Sequence, residues 1–83
     1  MMVITAQFAL YPLRTPELGP ALDAALAAVR SSDVSVETGL MSTLLEGSEE
    51  YVFEALRAAF RVAAAHGDAV LVATISNACK RDA

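Results

Sequence analysis

The residues with the chemistry of a binding site are concentrated in one short stretch, VSVETGLMSTLLEG, at residues 34–47. Glu37, Ser42 and Thr43 lie there among aliphatic side chains that alternate along two predicted strands. A carboxylate supplies negative charge, and hydroxyl groups both donate and accept hydrogen bonds. These groups suit the binding of a small polar ligand, whereas acid-base catalysis would also need a base poised by its neighbours.

Candidates for catalysis are few and lie far apart in the sequence. His66 is the sole histidine and falls in the last turn of a predicted helix, where a surface role at the helix end is expected. Cys79 is the sole cysteine, so it forms no internal disulfide and cannot alone make a zinc site. No sequence-local base accompanies this thiol. We therefore expect no catalytic residues, no metal and no enzymatic activity.

Length and charge narrow the classes of partner. The chain has 83 residues, which is enough for one domain over residues 1–83. Its net charge is −4 and its six basic residues are scattered, so nucleic acid is not expected as a partner. No apolar run approaches the ~20 residues of a membrane span. The first ten residues lack the features of a signal peptide, so a cytoplasmic protein is expected.

The apolar content is high for so short a chain. Residues of the hydrophobic class make up 55% of it, partly as alanine. Small domains bury a limited fraction of their surface, and many depend on oligomerisation for stability. The composition therefore predicts a homo-oligomer, a dimer or a tetramer, with a second apolar face in the interface.

The first half of the chain reads as a strand followed by a helix. Residues 2–10 alternate, and Tyr11-Pro12 is expected to end the strand because proline cannot donate to a ladder. The helix has two candidate starts, at Thr15 and Pro16 or nearer Pro20. Its apolar stripe is expected to consist of Leu18, Leu22, Ala25, Leu26 and Val29.

The second half reads as a hairpin, a helix and a strand. The hairpin joins residues 34–38 to residues 41–46 around Gly39, and the last strand covers residues 70–76. Ser48 is expected to cap the second helix and Gly67 to end it. Its predicted stripe is Val52, Leu56, Ala59, Phe60 and Ala63. The order βαββαβ predicts an α+β, ferredoxin-like fold, with a four-stranded antiparallel sheet and two helices on one face.

Such a fold leaves one sheet face uncovered. With Gly39-Leu40 as a two-residue turn, Glu37 is expected opposite Ser42, and a one-residue error would exchange the two faces. The side chains then expected to face the helices are Val34, Val36, Met41, Thr43 and Leu45. The residues expected on the open face are Thr5, Gln7, Ala9, Tyr11, Ser35, Glu37, Ser42, Leu44 and Glu46. The last strand adds either the Val70, Val72, Thr74, Ser76 set or its alternate.

Three segments, AQFALYPL at 6–13, GLMSTLLEG at 39–47 and TISNAC at 74–79, resemble the YkoF-like family of thiamine- and hydroxymethylpyrimidine-binding proteins. The resemblance spans nearly the whole chain. It implies a ferredoxin-like oligomeric domain that binds thiamine, or its pyrimidine part, in vitamin uptake or salvage. No cofactor is implied beyond that ligand.

The resemblance also implies site residues. Those in the matching segments are Gln7, Ser42, Thr43, Ser76 and Asn77. Their amide and hydroxyl groups can satisfy the hydrogen-bonding groups of an aminopyrimidine. Glu37 or Glu46 is a candidate counter-charge for the thiazolium. Tyr11 is a candidate stacking partner for either ring.

Other readings stay open from the residues alone. A half-solvated sheet carries such polar groups without any ligand. Small cofactor-free enzymes and pure assembly or regulatory modules share the fold. An oligomer that pairs strands edge to edge would also leave the face open.

Overall fold

Six elements occur in the predicted order, in a computed structural model that describes residues 2–14, 18–39 and 42–78. The predictions made for Thr15, Pro16, Leu40, Met41 and Cys79 fall outside these residues. The elements are β1 (Val3–Leu13), α1 (Gly19–Arg30), β2 (Ser35–Thr38), β3 (Thr43–Ser48), α2 (Glu49–Ala64) and β4 (Asp68–Ser76).

The sheet is antiparallel and has the strand order β2-β3-β1-β4. β1 and β3 are therefore the central strands, as the right-handed crossovers predict. Both helices pack against one side of this sheet and against each other. The predicted ferredoxin-like α+β fold is confirmed.

β1 is longer than the sequence indicated. It runs through Tyr11 and Pro12 to Leu13, and its residues beyond Phe8 pair with β4 but not with β3. The prediction that Tyr11-Pro12 ends the strand is therefore wrong. A proline that cannot donate is tolerated there because this part of β1 has one partner strand instead of two.

The hairpin turn is wider than predicted. Thr38 pairs with Thr43, and the N–H of Gly39 donates to the carbonyl oxygen of Ser42 over 2.8 Å, so four residues connect β2 to β3. Glu37 consequently lies opposite Leu44 rather than Ser42. A shift of two residues preserves the face on which each side chain lies. The predicted division of the described residues into helix-facing and open-face sets is therefore correct, although the predicted register was not.

The helices confirm one predicted start and correct two predicted core positions. α1 begins at Gly19, near Pro20, and Ser48 is the N-cap residue of α2. Leu18 and Phe60, both expected in apolar stripes, are 51% and 42% exposed. The helices instead bury small side chains beside their valines and Leu56, namely Ala21, Ala25, Ala55, Ala59 and Ala63.

The core is consequently built largely from small residues. Half of the twelve buried hydrophobic residues are alanines, and the largest fully buried side chains are Leu45, Val29 and Val52. Eleven large hydrophobic residues of the described part stay exposed, among them Tyr11, Phe53, Phe60 and Val72. The fold therefore keeps much of its apolar surface available for contact. Within the described residues, neither helix is long and apolar enough to cross a bilayer.

Candidate functional site

The open face of the sheet consists of side chains aligned in rows across the strands. Ala6, Phe8 and Leu45 are buried on the helix side, so their neighbours in sequence point to the opposite face. One row crosses all four strands and contains Glu37, Leu44, Gln7 and Thr74. The next row contains Ser35, Glu46, Thr5 and Ser76. In the other direction Ala9 pairs with Val72, and Tyr11 with Val70.

Two of the predicted ligand residues contact each other at the end of β3. Nε2 of Gln7 donates a hydrogen bond to Oγ of Ser42 over 3.0 Å. With the amide in this role, its Oε1 atom is left as an acceptor and the Ser42 hydroxyl as a donor. The pair therefore offers a ligand both hydrogen-bonding functions from adjacent positions.

A shallow depression of about 170 Å³ surrounds this pair on the open face. Three predicted site residues, Gln7, Tyr11 and Ser42, line it together with Val72 and Thr74. The apolar floor and the ring of Tyr11 suit the faces of an aromatic ligand, and the polar atoms suit its edge. The sequence did not identify Thr74 as a site residue, because the alternating pattern of β4 allows either set of its side chains to lie on the open face.

A second cavity of about 220 Å³ lies on the helix side of the same strand end, against Leu22, Ala25 and Leu26 of α1. Thr43, another predicted ligand residue, lines this cavity and is only 8% exposed. Its side chain therefore lies on the opposite side of the sheet from Gln7. Ser42 borders both cavities and stands at their junction.

The two candidate carboxylates occupy different rows. Glu37 is exposed and shares its row with Gln7, separated from it by β3. Adjacent strands are about 4.8 Å apart, so the backbones at these two positions are roughly 10 Å apart. Glu46 is half-buried and pairs with Thr5 in the next row. Glu37 therefore extends the row of the Gln7 site, whereas Glu46 lies beside it.

Ser76 and Asn77 lie at the other end of β4 from Tyr11 and are not brought to the depression. The Ser76 hydroxyl accepts a hydrogen bond from the N–H of Ala78 over 2.9 Å. The Nδ2 atom of Asn77 lies 3.7 Å from the sulfur of Met2. Both side chains thus take part in local structure where β4 ends.

His66 stands apart from these residues. Its Nδ1 atom lies 3.0 Å from the carbonyl oxygen of Val62 in the last turn of α2, and the side chain is exposed. The expected surface position at a helix end is confirmed. No three His, Cys, Asp or Glu side chains converge on a metal-binding arrangement within residues 2–14, 18–39 and 42–78.

Comparison with solved structures finds the same architecture in several organisms. A Bacillus cereus domain of unknown function, DUF77, superposes with a TM-score of 0.82 at 23% identity, covering 90% of this chain and 75% of that one. A hypothetical protein of Methanocaldococcus jannascii gives 0.80 at 23% identity, covering 99% and 87%. A Thermotoga maritima protein, provisionally assigned to thiamine biosynthesis or salvage, gives 0.75 at 21% identity, covering 88% and 81%.

Identities this low establish the fold alone. Among curated proteins, none matches the sequence. The sequence itself matches the YKOF-related family over residues 3–82, and the segments that carried the initial resemblance, 6–13, 39–47 and 74–79, all fall within that range. The chain is a member of the YKOF-related family.

Proposed function

We propose that this protein is a cytoplasmic, non-catalytic binding protein for thiamine or its hydroxymethylpyrimidine part, acting in vitamin uptake or salvage. The observation that carries the proposal is the Gln7–Ser42 pair, set in an apolar depression beside Tyr11. Family membership and the thiamine-related description of the Thermotoga maritima neighbour support the choice of ligand.

The hydrogen-bonding capacity of the site matches an aminopyrimidine. The ring nitrogens accept hydrogen bonds and the exocyclic amine donates them. The Ser42 hydroxyl supplies the donor and Oε1 of Gln7 the acceptor, while Thr74 adds a further hydroxyl to the same depression. Tyr11 supplies a ring face for stacking.

The thiazolium ring of thiamine carries a permanent positive charge and needs a different neighbour. In our proposal it extends along the row toward Glu37, which is the carboxylate in line with Gln7. The counter-charge is more effective where water is excluded, because charge interactions strengthen as the local dielectric constant falls.

A second copy of the chain completes the site in this proposal. The depression of about 170 Å³ is smaller than the ~300–1,000 Å³ typical of enclosed ligand sites, so one chain has room for a single ring. Ala9, Leu44 and Val72 put apolar surface around the polar groups on the same face. Packing two open faces together would bury this surface and enclose the ligand.

Calorimetry with thiamine and hydroxymethylpyrimidine, followed by mass spectrometry of the recovered ligand, tests the proposal. We expect saturable binding and unchanged ligand masses. Gln7→Ala should weaken binding about tenfold, the effect of losing one or two hydrogen bonds. Ser35→Ala is the matched control, because Ser35 is on the same face but outside the depression. Altered ligand mass would establish an enzyme instead, and no binding at millimolar ligand would refute the assignment.

A further inference from the structure

The central strand β1 continues past the end of its neighbour β3 and leaves a gap in the sheet. Phe8 with Thr43 is the last pair between these strands, whereas β1 stays paired with β4 as far as Leu13. Among the described residues, the stretch 9–13 therefore has a partner strand on its β4 side only. We name the open side of residues 9–13 the β1 notch. Backbone groups that face such a gap need hydrogen-bond partners, which a ligand can supply.

The direction of each backbone group in this part of the sheet follows from one hydrogen bond. The N–H of Gly39 donates to the carbonyl oxygen of Ser42 over 2.8 Å, so the backbone of Ser42 faces β2. Because backbone groups alternate in direction along an antiparallel strand, the backbone of Thr43 faces β1, and that of its partner Phe8 faces β3. Two residues further along β1, the N–H and C=O of Leu10 therefore face the notch.

Pro12 agrees with this assignment. Its backbone also faces the notch, so its missing N–H removes no hydrogen bond from the ladder with β4. Ala9, Tyr11 and Leu13 direct their backbone groups toward β4 instead. Within residues 9–13, Leu10 is therefore the residue that presents both a backbone donor and a backbone acceptor to the notch.

A donor beside an acceptor on one strand matches one edge of a 4-aminopyrimidine. That edge carries a ring nitrogen, which accepts a hydrogen bond, next to an amine, which donates one. We infer that Leu10 recognises this edge of the ligand, with its N–H donating to the ring nitrogen and its C=O accepting from the amine. The second hydrogen of the amine is left for Oε1 of Gln7. The inference rests on the proposed function and identifies the backbone atoms that select its ligand.

Two cavities meet at the notch and supply walls for the ring. Phe8, Ala9 and Ser42 border both the helix-side cavity of about 220 Å³ and the open-face depression of about 170 Å³. A pyrimidine that pairs with Leu10 lies in the plane of the sheet, as a neighbouring strand would. One face of the ring then meets the leucines of α1 that line the first cavity, and the other face meets Tyr11 of the depression.

Backbone recognition gives the site a preference that a hydroxyl group does not give. The Ser42 hydroxyl can turn to donate or to accept, whereas the N–H and C=O of Leu10 are held in place by the ladder between β1 and β4. In oxythiamine, the 4-oxo analogue of thiamine, the ring nitrogen carries a hydrogen and the neighbouring oxygen accepts. Donor would then face donor at Leu10, and acceptor would face acceptor. The notch should therefore select the amino form of the pyrimidine.

Amide hydrogen exchange, followed for each residue by NMR, tests the assignment in the wild-type protein. In the free protein the N–H of Leu10 should exchange rapidly, while those of Ala9 and Tyr11, which face β4, should be protected. Saturating thiamine should slow exchange at Leu10 at least about tenfold and leave these two neighbours nearly unchanged. Oxythiamine at the same concentration should give no such protection.

The outcomes separate this inference from the proposed function. If thiamine binds and the exchange rate of Leu10 does not change, the inference is overturned and the proposed function stands. A Leu10 N–H that is already as protected as its neighbours in the free protein would also overturn the inference. Absence of any thiamine binding would refute both.

Leu10→Pro removes the donor itself, and Leu10→Ala is the matched control because it shortens the same side chain but keeps the N–H. A proline is already tolerated in the same orientation at Pro12, so both variants should fold, which circular dichroism checks. Calorimetry should show thiamine binding at least about tenfold weaker in Leu10→Pro than in Leu10→Ala, because the hydrogen bond to the ring nitrogen is lost. Equal affinities of the two variants would overturn the inference. If Leu10→Pro does not fold, the exchange experiment on the wild-type protein decides alone.

Discussion

At the scale of single residues, the Gln7–Ser42 contact joins side chains 35 positions apart in the sequence. Phe8 and Thr43 form the last register pair between β1 and β3, and Ser42 immediately precedes Thr43 in the sequence. The contact forms because this register places Ser42 next to Gln7. Alternation alone predicted that both side chains are on the open face. It did not predict that they touch, because contact depends on the register between two distant segments.

The carboxylate at Glu37 should distinguish two ligands that differ in charge. Glu37→Gln should weaken thiamine binding about fivefold or more and leave the neutral hydroxymethylpyrimidine nearly unaffected, because only the thiazolium is cationic. Calorimetry with both ligands measures this difference. Glu46→Gln is the control on the neighbouring row. Equal losses for both ligands would remove Glu37 from the counter-charge role, and a selective loss in Glu46→Gln would transfer the role there.

At the scale of elements, hydrophobic periodicity predicted which segments form strands and helices better than it predicted where each of them begins and ends. The alternation of Ile4, Ala6 and Phe8 placed the core face of β1 correctly. The predicted end of β1 was wrong. A strand can continue through Pro12 when it has a partner on one side only, and the sequence does not show which partner strands are present there. Phe60 was assigned to the core because it borders the buried stripe of α2, and sequence spacing does not reveal how closely the neighbouring elements approach.

The turn between α2 and β4 should be sensitive to a single methyl group. Gly67 has φ of 146°, a conformation that non-glycine residues rarely adopt. Gly67→Ala should therefore destabilise the protein by about 1–3 kcal/mol and lower Tm by several degrees. Gly19→Ala is the control, since its Cβ would meet open space at the start of α1, and it should leave Tm unchanged or raised. Thermal unfolding followed by circular dichroism measures both, and equal behaviour of the two variants would contradict the assignment.

At the scale of the whole molecule, half of the buried hydrophobic residues are alanines, while eleven large hydrophobic residues of the described part are exposed. The helices approach the sheet through alanines, while Tyr11, Phe53, Val72 and other large side chains stay accessible. The composition indicated an apolar excess but not its location, because location follows from the packing of all six elements. Part of this excess is on the open face, and in our proposal that face is buried against a second copy of the chain.

Leu44→Arg should break the open-face interface of that assembly. Leu44 is half-buried in the row of Gln7, and an arginine there would place an unpaired charge in the interface, at a cost of about 3–5 kcal/mol. Sedimentation and calorimetry should show loss of face pairing together with ligand binding. Ala27→Arg adds the same charge at an exposed position of α1 and should change neither. A Leu44→Arg protein that keeps its wild-type mass and affinity would refute face packing.

The pairing of β1 with β4 also has a consequence for how the chain folds. These strands form the longest ladder of the sheet, yet they come from opposite ends of the described sequence. A nascent chain can form the β2–β3 hairpin early, but β1 has no partner on its β4 side until residues 68–76 leave the ribosome. Because long-range pairing slows folding, the sheet should close late, on a timescale longer than that of a helical bundle of similar size.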